Sequence, residues 1–277
     1  MRAFVPAYQM KTPETLGEAL TLTSDGWKPF AGGTDLMVLL EAGKLYHRRF
    51  IGLWKLAELR GVRATPDTLA IGALTTYTDI RNSAVLREEF PLLVAAAAET
   101  GGIATQNRGT LGGNIANASP AGDSLPPLLV YDAVIELESK HGAKRVDYAH
   151  FHTGYKQMAL APGEIITRIH LPRNKQRWQQ TYRKVGTRKA QAISKVCLAA
   201  AAKVAYGAIA DISIAYGSVA PVPLRCLAAE AALRGSRLDD LPEIPDETTP
   251  VDDMRSTSRY RRRVARNLLD EFLRSLA

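Results

Sequence analysis

Two glycine pairs constrain this chain more than any other feature: Ala31-Gly32-Gly33-Thr34-Asp35 and Thr110-Leu111-Gly112-Gly113-Asn114-Ile115-Ala116. Glycine weakens regular elements, so a pair of them marks a turn or a close backbone approach. The first pair falls between a predicted strand ending at Phe30 and a short predicted helix over residues 36–42, closed by Gly43 just past its last turn. Paired glycines let the backbone approach an anion, and a helix start offers unused N–H groups. Thr34 adds a hydroxyl and Asp35 a cap. The second pair repeats the arrangement, and two such turns meeting in space would hold both phosphates of a pyrophosphate. Each alone reads as a tight turn without a ligand; only the two together point to one.

Several chemistries are excluded or poorly supported. Neither segment is a GxGxxG fingerprint, and no glycine precedes a Lys-Ser/Thr pair, which argues against a nicotinamide-binding Rossmann domain and a P-loop ATPase. No GxSxG nucleophile elbow occurs. His150 and His152 share one face of a predicted strand but lack further ligands at zinc spacing, so both read as structural. Cys197 and Cys226 are too few for a disulfide framework or an iron–sulfur cluster in this chain, and read as buried small residues. The net charge of +8, from 36 basic and 28 acidic residues, suits nucleic acid, an acidic protein or a phosphate-rich cofactor. The arginines from Arg255 to Arg266 share a predicted helix with the apolar stripe Tyr260, Val264, Leu268, Leu269 and Phe272. They read as a solvated face, and no nucleic acid partner is expected. The longest clean apolar stretch, Leu92 to Ala98, is far short of the roughly 20 residues a membrane span needs. The segment Met1 to Pro6 lacks a secretory pattern, so the expected location is cytoplasmic.

The 277 residues predict about two domains. Thr12, Pro13 and Glu14 predict a cap and first turn, followed by Leu16, Ala19, Leu20 and Thr23 on one helix face. Residues 50–53 read as a buried strand, and residues 62–72 as a hairpin around Thr65-Pro66-Asp67-Thr68. Two helices meet at Pro91 within residues 83–98. Residues 101–123 are rich in Gly, Asn, Thr and Ser with little charge, which predicts a segment packed against something. Alternation returns at Ala133, Ile135 and Leu137, turns at His141-Gly142, and recurs from Ile165 to Leu171, stopping at Pro172. A basic, polar stretch from Arg173 to Arg188 marks a domain boundary. Residues 196–206 are alanine-rich and helical by propensity, whereas Gly207 and the alternating Ile212 and Ile214 point to a hairpin; sequence leaves both open.

The pattern Ala-Gly-Gly-Thr-Asp ending at Asp35, joined to Thr110-Leu111-Gly112-Gly113-Asn114-Ile115-Ala116-Asn117-Ala118-Ser119-Pro120-Ala121-Gly122-Asp123, resembles the FAD-binding medium subunit of molybdenum hydroxylases, of the xanthine dehydrogenase and carbon monoxide dehydrogenase type. The resemblance runs from Phe4 through Gly163-Glu164-Ile165-Ile166 and Tyr182-Arg183-Lys184 to Ala220-Pro221-Val222-Pro223-Leu224-Arg225. It implies an α+β fold of the p-cresol methylhydroxylase type: an FAD-binding domain over 1–173, with two α+β subdomains split near 55–60, and a C-terminal domain over 174–277 with a three-stranded sheet and helices. FAD would lie extended between the subdomains. Ala31, Gly32, Gly33, Thr34 and Asp35, with Thr110, Leu111, Gly112, Gly113 and Asn114, would cradle its pyrophosphate through backbone N–H groups, and Leu36 would be a further cofactor contact. Asp123 matches a position near the adenosine, and Ile166 and Lys184 match positions near the flavin ring.

The resemblance also implies partners: a large molybdopterin subunit and a small subunit with 2Fe-2S clusters, in a hetero-oligomer where this chain passes electrons from the clusters to a terminal acceptor. No catalytic acid–base pair is required of this chain. Lys184, Arg188 and Lys189 are expected to build part of a positive docking face for the small subunit. The stretch Gln191-Ala192-Ile193 departs from relatives with an acidic or aromatic residue near the flavin, which leaves the acceptor open. The competing reading is a stand-alone flavin oxidase of the same fold.

Overall fold

The computed structural model describes residues 7–188 and 191–277. The chain begins with β1 (Gln9–Lys11), α1 (Leu16–Ser24), β2 (Lys28–Phe30), α2 (Leu36–Glu41) and β3 (Arg49–Gly52). The three strands form a parallel sheet in the order β1-β3-β2. Thr15, rather than Thr12, caps α1: its Oγ1 accepts the Glu18 N–H at 3.2 Å, while the Glu18 carboxylate accepts the Glu14 N–H at 2.9 Å. The cap and the third helical residue thus satisfy two donors, one of them on Glu14 ahead of the cap, and Pro13 and Glu14 stay outside the helix. Ala19, Leu20 and Thr23 are buried, two of them in a small core with Ile51, Leu53 and Leu56.

The middle of the chain contributes β4 (Val62–Ala64) and β5 (Thr68–Gly72), then six helices: α3 (Tyr77–Asn82), α4 (Ala84–Glu89), α5 (Pro91–Glu99), α6 (Ile103–Arg108), α7 (Leu111–Asn117) and α8 (Leu125–Val130). Strands β6 (Val134–Ser139), β7 (Gly142–Asp147), β8 (His152–Gly154), β9 (Gln157–Met158) and β10 (Ile165–Pro172) follow. β4-β5-β10-β6-β7 make an antiparallel sheet, and Leu69, Ile71, Ile135, Leu137, Ile169 and Leu171 are fully buried on it. The helices pack into the same core through Leu93, Ala96, Ala97 and Leu128. The break at Pro91 follows the sequence: Pro91 opens α5, where its missing N–H costs nothing. Residues 101–123, which carry no helical signature in the sequence, contain α6 and α7. Gly112 and Gly113 sit in the first turn of α7, not in a loop before it. A Cβ on Gly112 would lie 2.6 Å from the Ala73 Cβ, so glycine is what lets α7 rest on the chain after β5.

The C-terminal part holds β11 (Gln179–Val185), β12 (Val196–Ala205), β13 (Ala208–Gly217), β14 (Leu224–Arg225), α9 (Leu227–Leu233) and α10 (Ser258–Arg274). The alanine-rich stretch is strand β12, and Tyr206 and Gly207, both at positive φ, turn it into β13. β12 is covered on both faces, by Cys197, Ala199 and Ala201 toward α8 and by Val196, Leu198, Ala200 and Ala202 toward α10. Small side chains let helices approach from both sides, and this packing overrides alanine's helical preference. The sheet has the order β11-β12-β13-β14, so the expected three strands gain a fourth of two residues. On α10 the buried stripe is Ala265, Leu268, Leu269, Phe272 and Leu273, with Arg261 buried beside it, whereas Tyr260 is 43% exposed. The expected stripe is therefore displaced at its start, because Arg261 finds carbonyl and carboxylate partners inside. Both cysteines are buried. No helix among the described residues is long and apolar enough to cross a membrane.

Charged residues join the parts. Arg173, within the basic stretch, is spent internally: it grips the Glu89 carboxylate at 2.6 and 2.7 Å. Arg225 reaches from β14 to the Leu129 carbonyl and to Asp132 Oδ1 at 2.9 Å, to Ser213 Oγ at 2.9 Å, and pairs with Glu230, whose side chain is 4% exposed. Arg225→Met strands the Glu230 carboxylate and is expected to lower stability by about 3–5 kcal/mol in denaturant unfolding. Arg225→Lys restores only part, because an ammonium cannot reproduce the fork. A loss below about 1 kcal/mol for the Met variant, the range of an exposed ion pair, contradicts this role.

Candidate functional site

The three parts of the chain enclose a cleft of about 1300 Å³. This exceeds the roughly 300–1,000 Å³ of ordinary small-ligand pockets and suits an extended dinucleotide. One wall is the turn from Ala31 to Asp35 with Leu36 and Leu39; a second is Tyr77, the stretch from Thr110 to Asn117 without Leu111 and Ile115, and Asp123; a third comes from Ser194, Ser218 and the stretch from Val251 to Arg261. Twelve of the fourteen sequence-predicted site residues line it: Ala31, Gly32, Gly33, Thr34, Asp35, Leu36, Thr110, Gly112, Gly113, Asn114, Asp123 and Ile166. Leu111 does not, being fully buried in the main core, and neither does Lys184.

The two glycine segments meet, but they offer different chemistry. A Cβ on Gly32 would stand 1.8 Å from the Arg108 carbonyl oxygen, and one on Gly33, at φ +78°, would strike the Phe30 ring at 2.5 Å. Gly32 is thus required for the turn to seat against the end of α6, and Gly33 for the left-handed backbone beside Phe30. The backbone N–H groups of Gly32, Gly33 and Thr34 donate to no described residue. The second segment is already satisfied. Leu111 N donates to Thr75 O at 3.0 Å, Gly112 N to Ala73 O at 2.9 Å, Gly113 N to Thr110 Oγ1 at 3.1 Å and Asn114 N to Thr110 O at 3.0 Å. The expectation that residues 111–114 present free N–H donors is corrected: capping and sheet contacts consume them. Asp35 begins α2 without a side-chain hydrogen bond, so it is not the cap that its position suggests.

Asp123 and Lys184 form a buried pair. Lys184 Nζ donates to Asp123 Oδ2 at 2.7 Å and to Glu99 O at 2.8 Å, with side chains 5% and 9% exposed for Lys184 and Asp123. Two groups in contact cannot serve opposite ends of an extended FAD, so their separate placements at adenosine and flavin ring do not both stand. Nor is Lys184 part of an exposed docking face. Arg188 turns back onto the Gln191 carbonyl at 2.6 Å, and Lys189 lies outside the described residues. Asp123 Oδ1 and the nearby Tyr77 hydroxyl are buried without a hydrogen-bond partner. Burial pushes the Asp123 carboxyl up to about 6, against the opposing pull of Lys184.

Sequence reasoning missed three cations on the cleft, Lys156, Arg255 and Arg261. Lys156 follows Tyr155 in the tight turn between β8 and β9; its Nζ donates to Asn117 O at 2.8 Å and feels the Asp35 carboxylate. Desolvation lowers its pKa. Arg261 donates to Lys195 O at 2.8 Å, Ser218 O at 3.0 Å and Asp253 Oδ1 at 2.7 Å, while its Nε has no partner. A single Lys in a polar turn and one Arg among many on α10 give no sequence signal.

Residues 6–174 match the family model described as the FAD binding domain in molybdopterin dehydrogenase, and residues 180–276 match the CO dehydrogenase flavoprotein C-terminal domain. The chain is 34% identical over 229 residues to the xanthine dehydrogenase FAD-binding subunit of Escherichia coli O157:H7, covering 81% of this chain and 78% of that one. It is 30% identical over 282 residues to the glyceraldehyde dehydrogenase medium chain of Sulfolobus acidocaldarius, covering 99% and 100%. A solved carbon monoxide dehydrogenase of Hydrogenophaga pseudoflava, in a form lacking the Mo-pyranopterin moiety, contains a chain that superposes with a TM-score of 0.90 at 26% identity over 97% of this chain and 96% of that one.

The Asp123 carboxyl gives a pH signature. Its folded value of about 6 stands above the 3.8 of a free aspartate, so the folded state holds a proton that the unfolded state has released between those pH values. Stability from this group is therefore fully present below about pH 4 and lost as pH rises to about 6. The unfolding free energy of the cofactor-free chain minus that of Asp123→Asn is expected to fall across this window and level off above it. A difference that stays flat from pH 4 to 6 contradicts the assignment.

Proposed function

The chain belongs to the family of FAD-binding subunits of molybdopterin dehydrogenases, and we propose that the cleft behind Gly32 is where its FAD sits. It is the flavoprotein, medium-type subunit of a molybdenum-containing hydroxylase. The observation that carries the site is the row of unused N–H groups on Gly32, Gly33 and Thr34, opening into a cleft of about 1300 Å³. Gly32 and Gly33 are half-buried and Thr34 is exposed, so these groups are open to solvent, and a pyrophosphate would replace water on them with charge-assisted bonds. Lys156 adds a positive charge beside them. The second glycine segment then acts by shape: Gly113, with Ala31 across from it, keeps that wall thin. Asp123, with an unpartnered oxygen, and Ile166 line the same cleft and complete the contacts inferred for the cofactor.

When bound, the flavin supplies the exchange between one-electron and two-electron carriers. The protein binds, orients and sets the field. Lys184 holds the Asp123 carboxylate in place at 2.7 Å. The electrons come from 2Fe-2S clusters in a small subunit, after substrate oxidation at molybdopterin in a large one, within a hetero-oligomer. The stand-alone oxidase reading is not favoured, because the relatives matched over most of the chain are named as subunits or medium chains.

We further infer a p-cresol methylhydroxylase-type fold, with an FAD-binding domain over 1–173 in two subdomains split near 55–60 and a C-terminal domain over 174–277. The small parallel sheet and the five-stranded antiparallel sheet on either side of the cleft support that division, as do family matches that end at 174 and resume at 180. A cytoplasmic location agrees with this reading.

The purified chain is expected to bind about one FAD, released by denaturation, and to hold FMN far more weakly because half of the pyrophosphate would be missing. Lys156→Met is expected to weaken FAD about tenfold or more, the scale of a lost charged hydrogen bond, with little effect on FMN. Isothermal titration measures both. A chain that refuses FAD, or binds FMN equally well, contradicts the site.

A further inference from the structure

We propose that the outer face of α2 and the arm that follows it, residues 37–49, dock the iron–sulfur small subunit; the inference rests on the functional reading above. Five of the six residues of α2 are apolar, Leu36 to Leu40, yet none is buried. Leu36 and Leu39 face the cleft, which leaves Met37 and Val38 on the far side at 52% and 61% exposure, with Tyr46 of the arm at 79%. Scattered exposed apolar side chains are ordinary, but a helix with five apolar residues of which none is buried, followed within a few residues by an exposed tyrosine, is the kind of surface that marks an interface.

Charge selects the occupant. The arm carries Lys44, Arg48 and Arg49 against the single carboxylate of Glu41, and none of these four belongs to an ion pair among the described residues. Arg48 lies over the Tyr8 ring at 4.7 Å and Arg49 over Trp27 at 5.6 Å, so aromatic faces hold the guanidinium groups while their charge stays uncompensated. The Tyr8 hydroxyl ties the arm down at Leu45 O, at 3.0 Å. A 2Fe-2S centre with four thiolate ligands is a net anion in either oxidation state, which suits this surface. A second copy of the chain does not: a two-fold contact would set the same cations against themselves. A partner on α2 would also stand one helix thickness, about 10 Å, from the cleft wall that Leu36 and Leu39 form.

The test uses the complex assembled from FAD-loaded chain and the small iron–sulfur subunit. Val38→Glu and Met37→Glu replace exposed side chains and are expected to lower affinity for the small subunit about tenfold or more, with FAD content and circular dichroism unchanged. Arg48→Glu is expected to weaken association and flatten its dependence on salt. Unchanged affinity in all three variants overturns the proposal, as does loss of FAD from Val38→Glu. So does a dimer of the isolated chain, seen by sedimentation, that these substitutions break while small-subunit binding persists. A wild-type chain that binds FAD but no small subunit overturns the functional reading and this inference together, whereas variant-specific results bear on the docking face alone.

Discussion

The cleft depends on one close approach: the backbone of Gly32 against the carbonyl of Arg108, too near for any Cβ. That contact seats the turn after β2 on the end of α6. It brings Ala31 beside Gly113 and gives the two glycine segments a common edge. It also leaves the N–H groups of Gly32, Gly33 and Thr34 facing space, not another strand. Glycine there serves packing and, in the proposed site, binding at once. The two roles are not competing explanations, since the same missing side chain permits both.

Around this contact the chain builds layers that hold the cleft walls still. The five-stranded sheet, the helices above it and the first face of the C-terminal sheet share one core, because Tyr182, Cys197, Ala199 and Ala215 join it from the C-terminal side. The second face of that sheet packs on α9 and α10, and from α10 Arg261 fixes the far wall. Charged groups within this assembly are paired or spent on carbonyls, as with Arg225, Arg173 and Lys184. Truncating any of them leaves a buried partner behind, which is why they constrain the arrangement more than they strengthen it.

Much of this was legible in the sequence because local rules and tertiary packing agreed. Pro91 had to start a helix, Thr65-Pro66-Asp67-Thr68 had to turn a hairpin, and Leu69 and Ile71 had to share a buried face. The alanine run was legible only through its neighbours, Gly207 and the alternating isoleucines, since alanine reports the space between layers rather than a strand. α7 was hidden because glycines in a first helical turn look like a loop; what fixes them is a hydrogen bond to Ala73, distant in sequence. The motif found residues that line one cleft, but it did not reveal which donors were spent. Lys184 illustrates the same limit: a lysine on a polar strand reads as solvated, and only the fold places Asp123 against it. Lys156 and Arg261 gave no signal because their role comes from the turn and helix that carry them, not from any local pattern.

Amide hydrogen exchange, followed residue by residue with and without FAD, tests the central claim most directly. Free N–H groups exchange quickly until a ligand occupies them, whereas groups already in hydrogen bonds change little. The account predicts that FAD slows exchange at Gly32, Gly33 and Thr34, while Leu111, Gly112 and Gly113 are slow before FAD is added and stay so. Slowing confined to residues 111–114, with Gly32 to Thr34 unaffected, would contradict it.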